Sequence, residues 1–137
     1  YVRSFTIAGD VILFPAVELS SIVMVDKSTF EILQIYPVSS DIAGMVQISI
    51  VDGYFFLTVS TNLQYDLSAS TVLRARTLED FTTGNYENLY YLFGGNGTPY
   101  YVSFFEGSYY MIHENAAPNI YRFHASGGRI YDIKGLF

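Results

Sequence analysis

The stretch VDGYFFLTVS, residues 51–60, carries the clearest fold signal in the sequence. Its Asp52-Gly53 pair is a strong signal for a two-residue hairpin turn, and the aromatic and β-branched run that follows is typical of a strand. Two imperfect copies of the stretch occur, IAGDVILFPA from Ile7 and FEGSYYMIHE from Phe104. The sequence therefore predicts a glycine-centred hairpin three times.

The three hairpins belong to a longer repeat. When Gly9, Gly53 and Gly107 are set in register, two strand-like segments flank each glycine and two more follow it. The glycines are 44 and 54 residues apart, a spacing in the range of propeller blades. The repeat predicts one domain over residues 1–137, with three four-stranded units at residues 3–38, 45–93 and 98–137.

The repeat also predicts where the strands and the core lie. Strands are expected at residues 3–8, 11–17, 21–26, 30–36, 45–51, 54–60, 71–76, 87–93, 99–105, 108–113, 119–124 and 129–133, with a helical turn only within residues 77–84. Repeat-equivalent positions predict a set of buried side chains, namely Ile22, Phe55, Leu57, Val72, Tyr109, Met111 and Ile120.

Neighbouring aromatic residues indicate that the sheets are covered on both faces. Successive side chains of a strand point to opposite faces, so Phe55-Phe56 and Tyr109-Tyr110 each place one ring on either side. A sandwich buries one face of each sheet, whereas stacked blades bury both. We therefore expect Phe56 and Tyr110 to be buried as well.

Composition excludes several functional classes. The 137 residues carry no Cys, a net charge of −6 and only seven scattered Lys and Arg, which argues against disulfides, Cys-ligated zinc and nucleic acid as a partner. No apolar run reaches the 18 or so residues of a membrane helix. The chain begins at Tyr1, so we expect a processed or trimmed protein or a piece of a longer one.

Through its repeat period and hairpin pattern, nearly the whole chain resembles the β-propeller superfamily. The chain has no Trp, and the Trp-containing blade signatures of known subfamilies are absent. The resemblance implies an all-β, propeller-like fold of about three four-stranded antiparallel blades. Because three blades cannot close a ring, it also implies half of a six- or seven-bladed wheel, completed by another segment or subunit.

Catalytic and metal-binding patterns are weak. The segment MIHENAAPN contains His113-Glu114 but lacks the second His of a zincin site. Asp10, Asp52 and Glu106 are the candidates for a glycosidase pair, but their repeat equivalence identifies them as turn residues. We therefore predict no catalytic residue, no metal and no cofactor.

Two groups of residues are candidates for binding. Arg74 and Arg76 lie two apart on one strand face and Arg122 is equivalent to Arg74, so they could bind an anion or a sugar acid, or form salt bridges between blades. The loop over residues 61–70 is six residues longer than its counterparts. It offers polar groups beside an aromatic ring for a protein or glycan surface, or is a tolerated insertion; its candidates are Asn62, Tyr65 and Asp66.

The predicted function is a non-catalytic structural or interaction module, a partial propeller completed by a protein partner or further blades. Its architecture is similar to the tail nozzle of short-tailed phages, which implies a virion component and favours a virion or extracellular location. The alternative is a carbohydrate-binding or glycoside-hydrolase-type propeller fragment. The isolated chain is expected to form oligomers or aggregates, since its terminal blades have faces that expect neighbours.

Overall fold

The computed structural model describes residues 4–42, 44–59, 71–89, 98–114, 119–124 and 131–133. Their strands form three four-stranded antiparallel sheets, here called the first, second and third blades. The first blade consists of β1 (Thr6–Ala8), β2 (Val11–Ala16), β3 (Ser21–Asp26) and β4 (Ile32–Pro37). The second consists of β5 (Met45–Val51), β6 (Tyr54–Val59), β7 (Thr71–Ala75) and β8 (Glu87–Asn88). The third consists of β9 (Thr98–Phe105), β10 (Ser108–Glu114), β11 (Asn119–His124) and β12 (Tyr131–Ile133).

Strand order within each blade follows the chain, so each sheet is a simple meander. A 3-10 helix at Val17–Leu19 and the single-turn helix α1, Asp80–Thr83, interrupt the strands. The helix lies inside the window predicted for a helical turn, whereas the 3-10 helix was not anticipated. Gly84 ends α1 with a φ of 85°, a conformation that glycine adopts without strain.

The hairpins of the second and third blades have the turn geometry that their sequences favour. Asp52 and Gly53 have φ angles of 53° and 73°, and Glu106 and Gly107 have 48° and 79°. Two left-handed central residues define the type I′ turn, whose twist matches that of the flanking strands. The turn assignment of Asp52 and Glu106 is therefore confirmed.

The first hairpin differs by one residue. Ala8 pairs with Val11, so Gly9 is the first central residue of the turn, whereas Gly53 and Gly107 are the second. Gly9 has a φ of 61°. The alignment of the three glycines is therefore wrong by one position for the first blade. A two-residue turn accepts glycine at either of its two central positions, so the glycines need not be equivalent. Strand pairing instead aligns Ile12 with Phe55 and Tyr109.

The blades stack face to face in chain order around two apolar clusters, and a third, smaller cluster of Ala16, Val23 and Val25 lies on the outer face of the first blade. The cluster between the first and second blades is the larger, and its buried members are Leu13, Ile22, Ile42, Met45, Ile48, Leu57, Val59, Leu73, Ala75, Leu78 and Phe81. The cluster between the second and third blades contains Phe56, Val72, Leu89, Val102, Tyr109 and Met111. The neighbours Phe56 and Leu57 are both fully buried, on opposite faces of the second blade, as alternation along a strand requires.

Most of the predicted core is confirmed. Ile22, Leu57, Val72, Tyr109 and Met111 are buried, and so is Phe56 on the other face. The side chain of Ile120 lies outside the described part of the chain.

Phe55 and Tyr110 are only half-buried, contrary to expectation. Phe55 pairs with Ile50, which is itself exposed, because both lie one pair from the hairpin turn at the end of the blade. Tyr110 points away from the second blade, on the outer face of the third.

Three strand boundaries also depart from prediction: β1 begins at Thr6, after Ser4 and Phe5, which were predicted to lie in it. β4 begins at Ile32 rather than at residue 30, because the Asp26 carboxylate accepts hydrogen bonds from the backbone N–H groups of Ser28 and Thr29, and Phe30 is left-handed with a φ of 59°. That turn delays the strand. β8 covers only Glu87–Asn88, and residues 90–93 of its predicted range lie outside the described part.

The first strands of successive blades are linked by hydroxyl groups. Thr6 Oγ1 in β1 donates to the Ile48 carbonyl in β5, and Ser49 Oγ in β5 accepts from the Val102 N–H in β9. Thr6 pairs with Leu13 and Ser49 with Phe56, which makes the two hydroxyl residues repeat-equivalent. The same position of the repeat therefore forms a hydrogen bond to the next blade in both the first and the second blade.

Candidate functional site

A cleft opens beside the hairpin turn of the second blade. Tyr54 begins β6, and Arg74 and Arg76 come from β7 and the residue just beyond it. The guanidinium carbons of Arg74 and Arg76 lie 4.5 Å and 3.9 Å from the centre of the Tyr54 ring, within the range of cation–π attraction. This arginine–tyrosine cleft has a volume of ≈ 500 Å³ and is lined by Tyr54, Arg74, Ala75, Arg76, Thr77, Asp80, Asn85 and Glu87.

Arg74 forms an ion pair within its own blade. Its Nε donates to Glu87 Oε2 at 2.6 Å, with the Arg74 side chain 12% exposed and that of Glu87 58% exposed. Glu87 lies directly opposite Arg74 in the β7–β8 pair. The hydrogen bond from Arg74 lowers the pKa of Glu87 and raises that of Arg74. The ion pair is thus within the second blade rather than between blades.

A tyrosine hydroxyl forms a hydrogen bond between the second and third blades. Tyr109 of β10 donates its hydroxyl hydrogen to Asp52 Oδ2 at 2.8 Å, and its ring packs against Phe56 with centroids 5.0 Å apart. Burial raises the pKa of Tyr109 to about 12, with a further upward contribution from Asp52 and an opposing one from Arg74. Asp52 therefore serves both the turn and the contact with the next blade.

Arg76 is the exposed guanidinium of the cleft. Among the described residues it forms no ion pair within 4.0 Å, and its contact is with the Tyr54 ring. A side chain at Gly53 would approach the Arg76 guanidinium at 3.8 Å. Arg76 is therefore the group that an anion entering the cleft would meet.

The two carboxylates of the cleft are already engaged. Asp80 Oδ2 accepts the Thr77 N–H at 3.0 Å, and this bond lowers the pKa of Asp80. Glu87 holds Arg74, which likewise lowers its pKa. Both carboxylates remain ionised at neutral pH, so neither can act as a proton donor. Their two negative charges balance the positive charges of the two arginines.

The structure brings together only part of the predicted binding set. Arg74 and Arg76 share the cleft, while Arg122 has its backbone opposite Tyr110 in the third blade and its side chain outside the described part. The other three candidates, Asn62, Tyr65 and Asp66, lie outside the described residues. Tyr54 was not singled out from the sequence, because its position across from Arg76 depends on the register of β6 against β7.

Within the described residues, no group of three His, Asp or Glu side chains could hold a metal ion. No helix there is both long enough and apolar enough to cross a membrane.

A second candidate site is the outer face of the first blade, here called the upstream face because it points away from the second blade. Apart from Ser21, its residues are apolar; Val23 and Val25 are buried within it and Ile12 and Phe14 pack against them, whereas Phe5, Ile7, Ile32 and Ile35 are exposed. Phe5 is 63% exposed and Ile7 57% exposed. Large exposed apolar areas are typical of interaction sites.

The equivalent faces of the other blades are covered except beside the hairpin turns, where Ile50 and Phe104, the counterparts of Ile7, are 38% and 37% exposed. In the second blade Ile48 and Leu57, the counterparts of Phe5 and Phe14, are buried against the first blade. In the third blade Val102 and Met111 occupy the same positions and are buried against the second. The upstream face therefore carries the residue types of an internal contact without the covering blade.

Comparison with known proteins identifies the fold alone. No family model matches the chain, and no curated protein sequence matches it. Among solved structures, the computationally designed Ika8 protein is similar at a TM-score of 0.56 and 12% identity, over 98% of this chain and 36% of that one. The computationally designed Ika4 protein is similar at a TM-score of 0.57 and 12% identity, over 98% of this chain and 73% of that one. Together with the three observed sheets, these similarities confirm an all-β, propeller-like fold of four-stranded antiparallel blades.

Proposed function

We propose that this chain is a non-catalytic interaction module, a partial propeller whose upstream face accepts a further blade within a larger assembly. The observation that carries the proposal is the exposure of Phe5, 63% exposed, at a position whose equivalents Ile48 and Val102 are buried in the other two blades. Full burial of such a side chain contributes about 1.5–3 kcal/mol. Covering this face with a blade therefore provides a substantial driving force for association.

The test is the association state of the 137-residue chain and of two matched variants. Ile7→Asp places a charge on the upstream face, and Leu19→Asp places one on an exposed apolar residue of the 3-10 helix, outside the strands that form that face. Sedimentation velocity at micromolar concentration should show association of the parent chain, loss of at least tenfold in affinity for Ile7→Asp, and little change for Leu19→Asp. A compact parent monomer would overturn the proposal.

A finer proposal is that the assembly is a virion tail. It rests on two features. The architecture is similar to the propeller of short-tailed phage tail nozzles, which other segments interrupt, and the chain is acidic and contains no Cys. Antibodies against this chain should label one end of purified particles from the source that encodes it. Labelling confined to non-particulate fractions would contradict the finer proposal while leaving the interaction module intact.

A second candidate function is binding of an acidic glycan in the arginine–tyrosine cleft. The specific observation is Arg76, exposed and resting on Tyr54, which together offer a cation for a carboxylate and a ring edge for a sugar. Titration with glucuronate, followed by NMR, should shift signals of residues that line the cleft. Arg76→Ala should abolish the shifts and Arg76→Lys should retain part of them; shifts unaffected by Arg76→Ala would place binding elsewhere.

A further inference from the structure

We infer that the chain pairs head to tail with a second copy, the outer face of the third blade covering the upstream face of the first, so that two chains close a six-bladed ring. The inference rests on the proposed function and adds the identity of the occupant. The outer face of the third blade, which points away from the second blade, is here called the downstream face. Its described side chains are Ser103, Phe105, Ser108 and Tyr110.

The first argument is the recurring hydroxyl link. Ser103 pairs with Tyr110 and is thereby the repeat equivalent of Thr6 and Ser49, which both link to the first strand of the following blade. Ser103 is exposed. The backbone groups that receive the two existing links belong to Ile48 and Val102, and the repeat equivalent of these residues in the first blade is Phe5. A head-to-tail contact therefore places the Ser103 hydroxyl against the backbone of Phe5 in the second copy.

The second argument is the match of apolar side chains. Across the contact of the second and third blades, Phe56 packs on Tyr109. The repeat equivalents of these two residues are Tyr110 on the downstream face and Ile12 on the upstream face. Tyr110 and Ile12 are both half-buried. Beside them Phe105 is 62% exposed, so each open face carries apolar groups at the positions that the other would cover.

The third argument is closure. A contact between two different faces of one chain either closes a ring or continues as a filament. Two chains of three blades make six, within the range of four to eight typical of propellers. A second copy covers both open faces at once, whereas a single unrelated partner blade would leave one of them exposed.

The test uses one variant for each face. Ile7→Asp blocks the upstream face and Phe105→Asp the downstream face, and far-UV circular dichroism verifies that both are folded. The parent chain should sediment as a species of twice 15.4 kDa. Each variant alone should be monomeric. An equimolar mixture should form a heterodimer, because the intact downstream face of Ile7→Asp can still bind the intact upstream face of Phe105→Asp.

Other outcomes separate the inference from the function on which it rests. Dissociation by Ile7→Asp but not by Phe105→Asp means that upstream faces pair with each other or with another partner, which overturns the head-to-tail pairing and leaves the proposed function standing. A ladder of higher masses overturns ring closure. A monomeric parent chain overturns both proposals. If Phe105→Asp does not fold, Ser103→Arg, at an exposed site of the same face, replaces it.

Discussion

The two contacts between blades use equivalent repeat positions but different chemistry. Between the first and second blades, α1 adds Phe81 to a continuous apolar cluster, and the Phe81 carbonyl accepts the Ser39 N–H of the connecting segment at 2.8 Å. Between the second and third blades the apolar cluster is smaller, and the Tyr109–Asp52 hydrogen bond and the Arg74–Glu87 pair lie beside it. One repeat therefore supports a contact made mainly of apolar side chains and another in which an ion pair and a tyrosine–carboxylate hydrogen bond lie beside the apolar cluster.

The largest expected effect breaks the apolar contact. Leu57→Ala removes a fully buried side chain from the first cluster and should lower the free energy of unfolding by about 2–5 kcal/mol. Ile50→Ala, at a site 38% exposed on the neighbouring strand, is the control and should cost much less. Urea denaturation measures both; equal losses would show that the first cluster does not dominate stability.

The two contacts share a hydrogen bond between a hydroxyl residue at the same repeat position, Thr6 or Ser49, and the next blade. Thr6→Val keeps the shape of the side chain and removes its hydrogen bond to the Ile48 carbonyl, which keeps Gln47 Nε2 as a donor at 3.0 Å; the loss should be about 0.5–1.5 kcal/mol. Ser49→Ala removes the acceptor of the Val102 N–H and should cost a similar amount. A loss at only one of the two sites in urea denaturation would contradict their equivalence.

The tyrosine link should make the second contact sensitive to high pH. Tyr109→Phe removes the hydrogen bond to Asp52 and should cost about 0.5–1.5 kcal/mol near neutral pH. Because the folded pKa of Tyr109 is raised from 10.0 to about 12, its contribution is fully present below pH 10 and is lost as the pH rises through about 12. The difference in urea midpoint between parent and variant should therefore vanish over that interval, whereas a constant difference would refute the role of the hydroxyl group.

The smallest effect concerns the exposed ion pair. Glu87→Gln should cost about 0.2–1 kcal/mol, since the carboxylate is largely solvated. The folded pKa of Glu87 is lowered from 4.5, so the contribution is present above that value and disappears as the pH falls through the folded pKa. The stability difference between parent and variant should shrink in acid and in high salt, and persistence under both conditions would point to a packing role for Glu87.

Local sequence patterns were sufficient to predict most of the secondary structure. The β5 and β6 boundaries followed from the Asp52-Gly53 turn and the apolar run beyond it, because turn type and alternation depend on neighbouring residues only. The position of α1 was likewise predicted. The delayed start of β4 was missed because Asp26 captures two backbone N–H groups, a side-chain competition that periodicity does not reveal.

The candidate sites were less accessible to prediction. The location of Arg74 and Arg76 on the same strand face followed from their spacing of two residues. Their stacking on Tyr54 depended on the register of β6 against β7. The bond between Tyr109 and Asp52 joins residues 57 positions apart, and no local pattern marks it.

The sequence by itself determined the repeated hairpins, the alternation of apolar and polar side chains, and the presence of apolar groups on both faces of every blade. Only the tertiary structure decided which of those faces are covered. Ile48 is buried and Phe5 is exposed at equivalent positions of the repeat, and the difference is the presence or absence of a neighbouring sheet. Alternation is a property of the strand backbone, whereas covering a face requires long-range packing of one blade on another, which individual strand sequences do not specify.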